Sequence, residues 1–161
     1  MFRKSLTLLG CFMLFFSLTA CIAQEEVFTG EGITVTLTDA FYEVSVEGVP
    51  FYLESYNHIF MGLSESKSSL ESYGVHDLES YMDAVLDAST KTLEVFSYDQ
   101  DGITFLYGYY TATVDENDFG YMIVVMEGTD YYYTMNFGCF EKNLEKNKSL
   151  FMDWAKTIVV E

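Results

Sequence analysis

Four residues, Leu18-Thr19-Ala20-Cys21, close an apolar N-terminal run with the spacing of a bacterial lipobox. The chemistry such a site undergoes is alkylation of the cysteine thiol by a diacylglycerol, followed by cleavage of the chain just before it. The segment ahead of Cys21 has the parts of an export signal. Arg3 and Lys4 form a positive start, and Leu6 to Phe16 is an apolar stretch shorter than the roughly 20 residues a membrane-spanning helix needs. Acyl chains contribute about 0.8 kcal/mol per buried CH₂, so two or more hold a protein far more firmly than a single myristoyl group. The expectation is a chain held on a membrane by lipid at Cys21, facing outside the cytoplasm. Ordinary secretory cleavage after Ala23 is the alternative, and Cys11 falls inside the signal under either.

The other reactive side chains are sparse. His58 and His76 are the only histidines, and no C-x-x-C or H-E-x-x-H spacing supplies zinc ligands around them. Ser64, in Gly62-Leu63-Ser64-Glu65-Ser66, lacks the second glycine of a nucleophile elbow. Ser97, Asp99, Asp101 and Gly102 begin like a calcium loop, but Gly108 then stands where a bidentate glutamate is required. Asp115 and Asn117 begin another, which fails at Phe119 and at Met126. An irregular acidic cluster at Asp115, Glu116 and Asp118 is what remains of the calcium reading, against a plain solvated loop. After removal of residues 1–20, Cys139 is the only cysteine besides Cys21, and with no bridging partner it reads as a buried small hydrophobe. No catalytic residue, metal site or cofactor is assigned.

Tyrosine is the last candidate chemistry. Tyr107, Tyr109, Tyr121, Tyr131 and Tyr133 fall in consecutive strand-like runs, where they either pack the sheet or, if they face an open groove, make a platform for a glycan, peptide or small molecule.

Charge excludes whole classes of partner. The net charge is −17, and loss of Arg3 and Lys4 with the signal takes it to −19, leaving Lys67, Lys91, Lys142, Lys146, Lys148 and Lys156 as the entire basic supply. Nucleic acid is excluded, because its binders neutralise phosphates with clustered Lys and Arg. Direct adhesion to anionic headgroups is disfavoured for the same reason.

The elements that must position these residues follow from periodicity. Residues 21–32 read as a tether of at most about 35 Å for the eleven residues after Cys21. Residues 33–161 read as one domain. Ile33, Val35 and Leu37 alternate with threonines, which predicts a strand. Phe41 to Val46 predicts a second, Phe51 to Tyr56 and His58 to Leu63 two adjoining strands, and Ser64 to Ser72 a loop. Leu78, Tyr81, Met82, Val85 and Leu86 predict a helix over 77–89 with Asp77 as N-cap. Strands at Thr92 to Tyr98, Ile103 to Val114, Gly120 to Met126 and Tyr131 to Phe137 are separated by Asp101-Gly102, by a polar loop at Asp115 to Asp118 and by Glu127-Gly128, which predicts an antiparallel meander. A helix on Leu144, Phe151, Trp154 and Ala155 precedes a closing strand at Thr157 to Val160. The central strands are apolar on both faces, so helices must cover both. The class is α+β, an antiparallel sheet sandwiched between helices in an α/β/α arrangement.

This pattern resembles the PsbP/Mog1-like family, which includes bacterial envelope lipoproteins. The likeness is carried by Ile33 to Leu37 followed by Phe41, the helix Leu78 to Leu86, the Gly120 to Phe137 hairpin with its Tyr-Tyr-Tyr strand, and Phe151-x-x-Trp154-x-x-x-Ile158. The resemblance implies an α/β/α fold and an accessory or binding role, usually without catalysis; the lipobox, the short tether and the lack of a catalytic motif add the expectation of a domain that binds or scaffolds an envelope protein. The resemblance offers no shared catalytic set to carry over. An envelope-acting hydrolase is the contrasting reading, requiring a cleft of polar groups with shifted pKa values.

Overall fold

The Thr-interleaved run Ile33–Leu37 forms a strand whose three aliphatic side chains are fully buried. In the computed structural model, which describes residues 24–89 and 92–161, this is the second strand rather than the first. Strand β1 (Glu26–Gly30) pairs antiparallel with β2 (Ile33–Leu37) through a turn at Glu31 and Gly32, both in the left-handed region at φ 54° and 74°. Two positive φ values in a two-residue loop match the right-handed twist of a hairpin, which the Glu-Gly pair accommodates. The expected tether over 21–32 is therefore corrected: its residues 26–30 belong to the folded domain. Cys21 lies outside the described residues.

The closing strand β10 (Val159–Val160) pairs with β2 on its other side, so the first and last strands form their own three-stranded sheet, β1-β2-β10. The Thr36 N–H donates to the Thr157 hydroxyl at 2.9 Å and pins this junction.

The larger sheet has seven strands in the order β3-β4-β5-β9-β8-β7-β6. Its members are β3 (Tyr42–Glu43), β4 (Phe51–Glu54), β5 (His58–Ser66), β6 (Phe96–Gln100), β7 (Ile103–Val114), β8 (Asn117–Glu127) and β9 (Tyr131–Phe140). Strands β6 to β9 are the expected meander. Asp101 and Gly102 turn the first hairpin and Asp115 and Glu116 the second, all at positive φ. The loop expected over 115–118 thus shrinks to two residues, with Asn117 and Asp118 already in β8. The run expected as a loop at 64–72 differs as well. Strand β5 continues through Ser66 because it pairs residue by residue with β9 as far as Tyr131, and helix α1 (Lys67–Leu70) and a single 3-10 turn (Glu71–Tyr73) follow.

Helices lie on both faces. Helix α2 (Leu78–Ala88) starts at Asp77, whose carboxylate accepts the Ser80 N–H at 2.8 Å while the Ser80 hydroxyl accepts the Asp77 N–H at 3.1 Å. That capping box satisfies donors a helix start leaves open. Leu78, Tyr81 and Met82 of α2 pack with Leu106, Ile123, Val125 and Tyr132. On the opposite face α3 (Leu144–Ala155) lays Leu144, Phe151, Trp154 and Ala155 over β8 and β9 and against β2, and the small sheet covers the rest. Gly62 marks how closely it presses, since a Cβ there would stand 2.7 Å from Ile33 Cδ1. The α3 face is thereby covered along the sheet, whereas on the α2 face β4 and β5 are left without an overlying helix. Among the described residues no helix is long and apolar enough to cross a membrane.

Candidate functional site

The uncovered half of the α2 face is where this fold can meet another molecule. On β5 the side chains of Ile59, Met61, Leu63 and Glu65 alternate onto this face, and all are half-buried rather than buried. Between Leu63 and Glu65 on one side and Ala84, Val85 and Ala88 of α2 on the other runs a groove of about 580 Å³, lined also by Leu70, Tyr73 and Val75. Its volume lies within the range of about 300–1,000 Å³ typical of ligand sites, and apolar walls around a few polar groups are the usual composition of one.

The polar groups form a short chain. The Tyr81 hydroxyl donates to Glu65 Oε2 at 2.8 Å and shares a 2.9 Å hydrogen bond with the Thr134 hydroxyl. With Tyr81 donating to the carboxylate, Thr134 donates to Tyr81. The Tyr81 ring is stacked on Tyr132 at 4.7 Å. Burial pushes the Tyr81 phenol well above its ordinary pKa; the Thr134 bond offsets a little of this and Glu65 reinforces it, so at neutral pH Tyr81 is a donor. Further along the same face Tyr110 stacks on Tyr121 at 5.0 Å and donates to Asn136 Oδ1 at 2.9 Å, and Phe119 stacks on Phe140 at 5.3 Å. These groups can bind and orient. None pairs a nucleophile with a base.

The five tyrosines singled out from the sequence do not make one platform. Across β7 and β8, Tyr110 stands opposite Tyr121 and Tyr109 opposite Met122, so Tyr121 faces α2 while Tyr107, Tyr109, Tyr131 and Tyr133 face the α3 side. Tyr121 and Tyr133 are buried as well. Tyr107 and Tyr109 are half-buried, with Lys148 Nζ 4.8 Å from the Tyr109 ring centre. Burial, then the neighbouring Tyr107 and Glu145, push the Tyr109 phenol up to about 12. Only Tyr131 stands open, at the sheet end. The period of two puts residues on faces correctly within a strand, but the register between strands sets which faces coincide.

A serine, an aspartate and a histidine do converge elsewhere. Asp39 Oδ2 accepts from the Ser55 hydroxyl at 2.6 Å and lies 2.6 Å from His58 Nδ1. The carboxylate stands between the other two, so His58 cannot take the serine proton. The other ring nitrogen, Nε2, is buried with no hydrogen-bond partner, and the ring meets Phe151 and Trp154 edge-on at 5.8 and 5.2 Å. A hydrolytic triad needs the base between nucleophile and acid. This cluster instead ties the segment after β2 to the β4–β5 turn.

His76 is exposed ahead of α2, on the opposite sheet face from His58. Among the described residues no three His, Cys, Asp or Glu side chains gather as a metal set. Cys139 is buried, and burial raises its thiol pKa, partly offset by a hydrogen bond with Asn147. Sequence reasoning missed Glu65, Tyr81, Thr134 and Asn136 as a group. The sequence held little signal for it, because Ile59, Phe60 and Met61 run on without alternation and Ser64 to Ser66 read as a loop.

No protein-family model matches this chain, and no curated protein does. Among solved structures, the chain is similar to cyanobacterial PsbP (CyanoP) from Synechocystis sp. PCC 6803, known from a solution structure, with a TM-score of 0.60 and 17% sequence identity. The match covers 89% of this chain and 96% of that one. At that identity the likeness establishes a PsbP-like fold.

Proposed function

We propose that this protein is a lipid-anchored envelope protein whose single domain binds or scaffolds another envelope component without catalysing a reaction. The observation that carries the reading is the groove beside α2, an apolar site of about 580 Å³ with a hydrogen-bonded Glu65–Tyr81–Thr134 chain in its floor. The lipobox at Cys21 supports the location, and the PsbP-like fold fits a domain that works by binding. The separation of Ser55 from His58 by Asp39 weighs against a hydrolase. With residues 26–30 folded into β1, the anchor leaves only a few residues of slack, so the groove works close to the membrane surface.

The test uses the full chain expressed in its bacterial envelope. Cys21→Ser is expected to move the protein out of the membrane fraction, and mass spectrometry of the wild-type N-terminal peptide to show acylated Cys21. Crosslinking from intact membranes is expected to enrich a partner that is lost with Ala88→Trp, a substitution at an exposed α2 position that fills the groove. Enrichment unaffected by Ala88→Trp would refute the groove. A free ligand is the second reading, favoured by the groove's volume, and predicts instead that a metabolite panel raises the melting temperature of the wild type and leaves Ala88→Trp unmoved.

A further inference from the structure

Glu65 is the only charged side chain lining the groove among the described residues. Its Oε2 accepts from Tyr81, and it enters no ion pair among the described residues. The lysine two positions on cannot neutralise it, because Lys67 Nζ is 2.7 Å from Glu127 and 5.2 Å from the Tyr132 ring centre. A carboxylate held by one neutral hydroxyl in a groove walled by Leu63, Val85 and Ala88 is an electrostatic demand that no described lysine meets. Its complement is a cation. The walls add a second requirement, since a bare ion would leave them in contact with water, whereas a long basic side chain lays its methylenes on apolar surface and delivers charge at its tip.

From these features, and resting on the reading of the groove as a binding site, we infer that it takes an apolar segment of a partner protein carrying a lysine or arginine whose cation pairs with Glu65. Three observations favour a protein segment over a free cation. The volume of about 580 Å³ exceeds what one side chain fills. The rim carries Tyr73, 83% exposed, an aromatic of the kind enriched at protein interfaces. Beyond the groove's edge at Leu63, the half-buried Met61 and Ile59 of β5 lie on the same sheet face, an apolar strip that a chain, not a single headgroup, can follow.

Two capped peptides of identical length provide the probe, Leu-Val-Lys-Val-Leu and the same sequence with norleucine for lysine, titrated calorimetrically into the full chain at low ionic strength. The lysine peptide is expected to bind about tenfold or more tightly than the norleucine peptide, the difference a hydrogen bond to a charged group makes. Glu65→Gln keeps an acceptor for Tyr81 and removes the charge, and it is expected to erase that preference while far-ultraviolet circular dichroism stays unchanged. Equal binding of both peptides to the wild type, abolished by Ala88→Trp, would leave the groove intact as a binding site and overturn the cation. Binding of neither peptide overturns both. Octylammonium binding more tightly than the lysine peptide would overturn the protein partner in favour of a free amphiphile.

Discussion

At the scale of single residues, Asp39 holds more of the fold together than its half-buried position suggests. One carboxylate oxygen receives Ser55 and stands 2.6 Å from His58 Nδ1, and the His58 ring is packed edge-on against Phe151 and Trp154 at the centre of the α3-side core. Removing the acceptor strands a buried ring nitrogen, which costs about 1–3 kcal/mol. Asp39→Ala is therefore expected to lower unfolding stability by that amount in urea titrations with an unchanged slope. Asp39→Asn, which can still accept from one partner, should lose less. An effect of Asp39→Ala no larger than that of an exposed alanine substitution would sink this account. Glu65 is the counterpart on the other face: it accepts from the neutral Tyr81 hydroxyl and enters no ion pair among the described residues, and that difference separates it from the structural carboxylate of Asp39.

At the scale of elements, the decisive feature is how the sheet paves itself where no helix covers it. Strand β9 carries Gly138 opposite Tyr121 on β8 and Ile59 on β5, and both neighbours close over it. A Cβ at Gly138 would stand 2.7 Å from Ile59 Cγ1 and 2.7 Å from Tyr121 Cε1. Gly138→Ala must lift the Tyr121 ring from its stack on Tyr110, and such overpacking costs about 1–3 kcal/mol. The expected result is reduced stability in denaturant together with a changed near-ultraviolet tyrosine circular dichroism signal. Lost stability with an unaltered tyrosine signal would show that the strain is absorbed elsewhere. Helix α2 makes the complementary point, because its capping box and apolar stripe are both local. Its groove wall is built from Val85, at the edge of that stripe, together with Ala84 and Ala88.

At the scale of the whole molecule, a negative chain with many buried phenols has a vulnerable side, and it is the alkaline one. Burial raises the pKa of Tyr81 and Tyr110, and it pushes Tyr109 up to about 12, against an ordinary phenol value of 10.0. Below pH 10 these phenols are protonated in both folded and unfolded chains, and their contribution to stability is fully present. As pH rises past 10 the unfolded chain releases protons that the folded one retains, so stability falls, and it is lost as the folded values are approached. New phenolates also add to the existing negative charge. Urea midpoints are expected to fall steeply above pH 10, with phenolate absorbance rising within the unfolding transition. Phenolate absorbance that develops fully while the far-ultraviolet signal remains folded would contradict this.

The strand at Ile33 to Leu37, the helix capped by Asp77, the meander and the need for cover on both sheet faces were legible in the sequence, because each is written in side-chain alternation, capping and turn residues a few positions apart. The groove was not. Glu65 became a candidate only when β5 paired with β9 and brought Thr134 beside it under Tyr81, and the five tyrosines separated onto two faces only when β7 and β8 took their register. The β1–β2–β10 sheet likewise joins the two ends of the chain. Local patterns record which side of an element avoids water. Which of those sides then stays uncovered depends on pairings between distant segments, and these are settled by the packing of the whole chain.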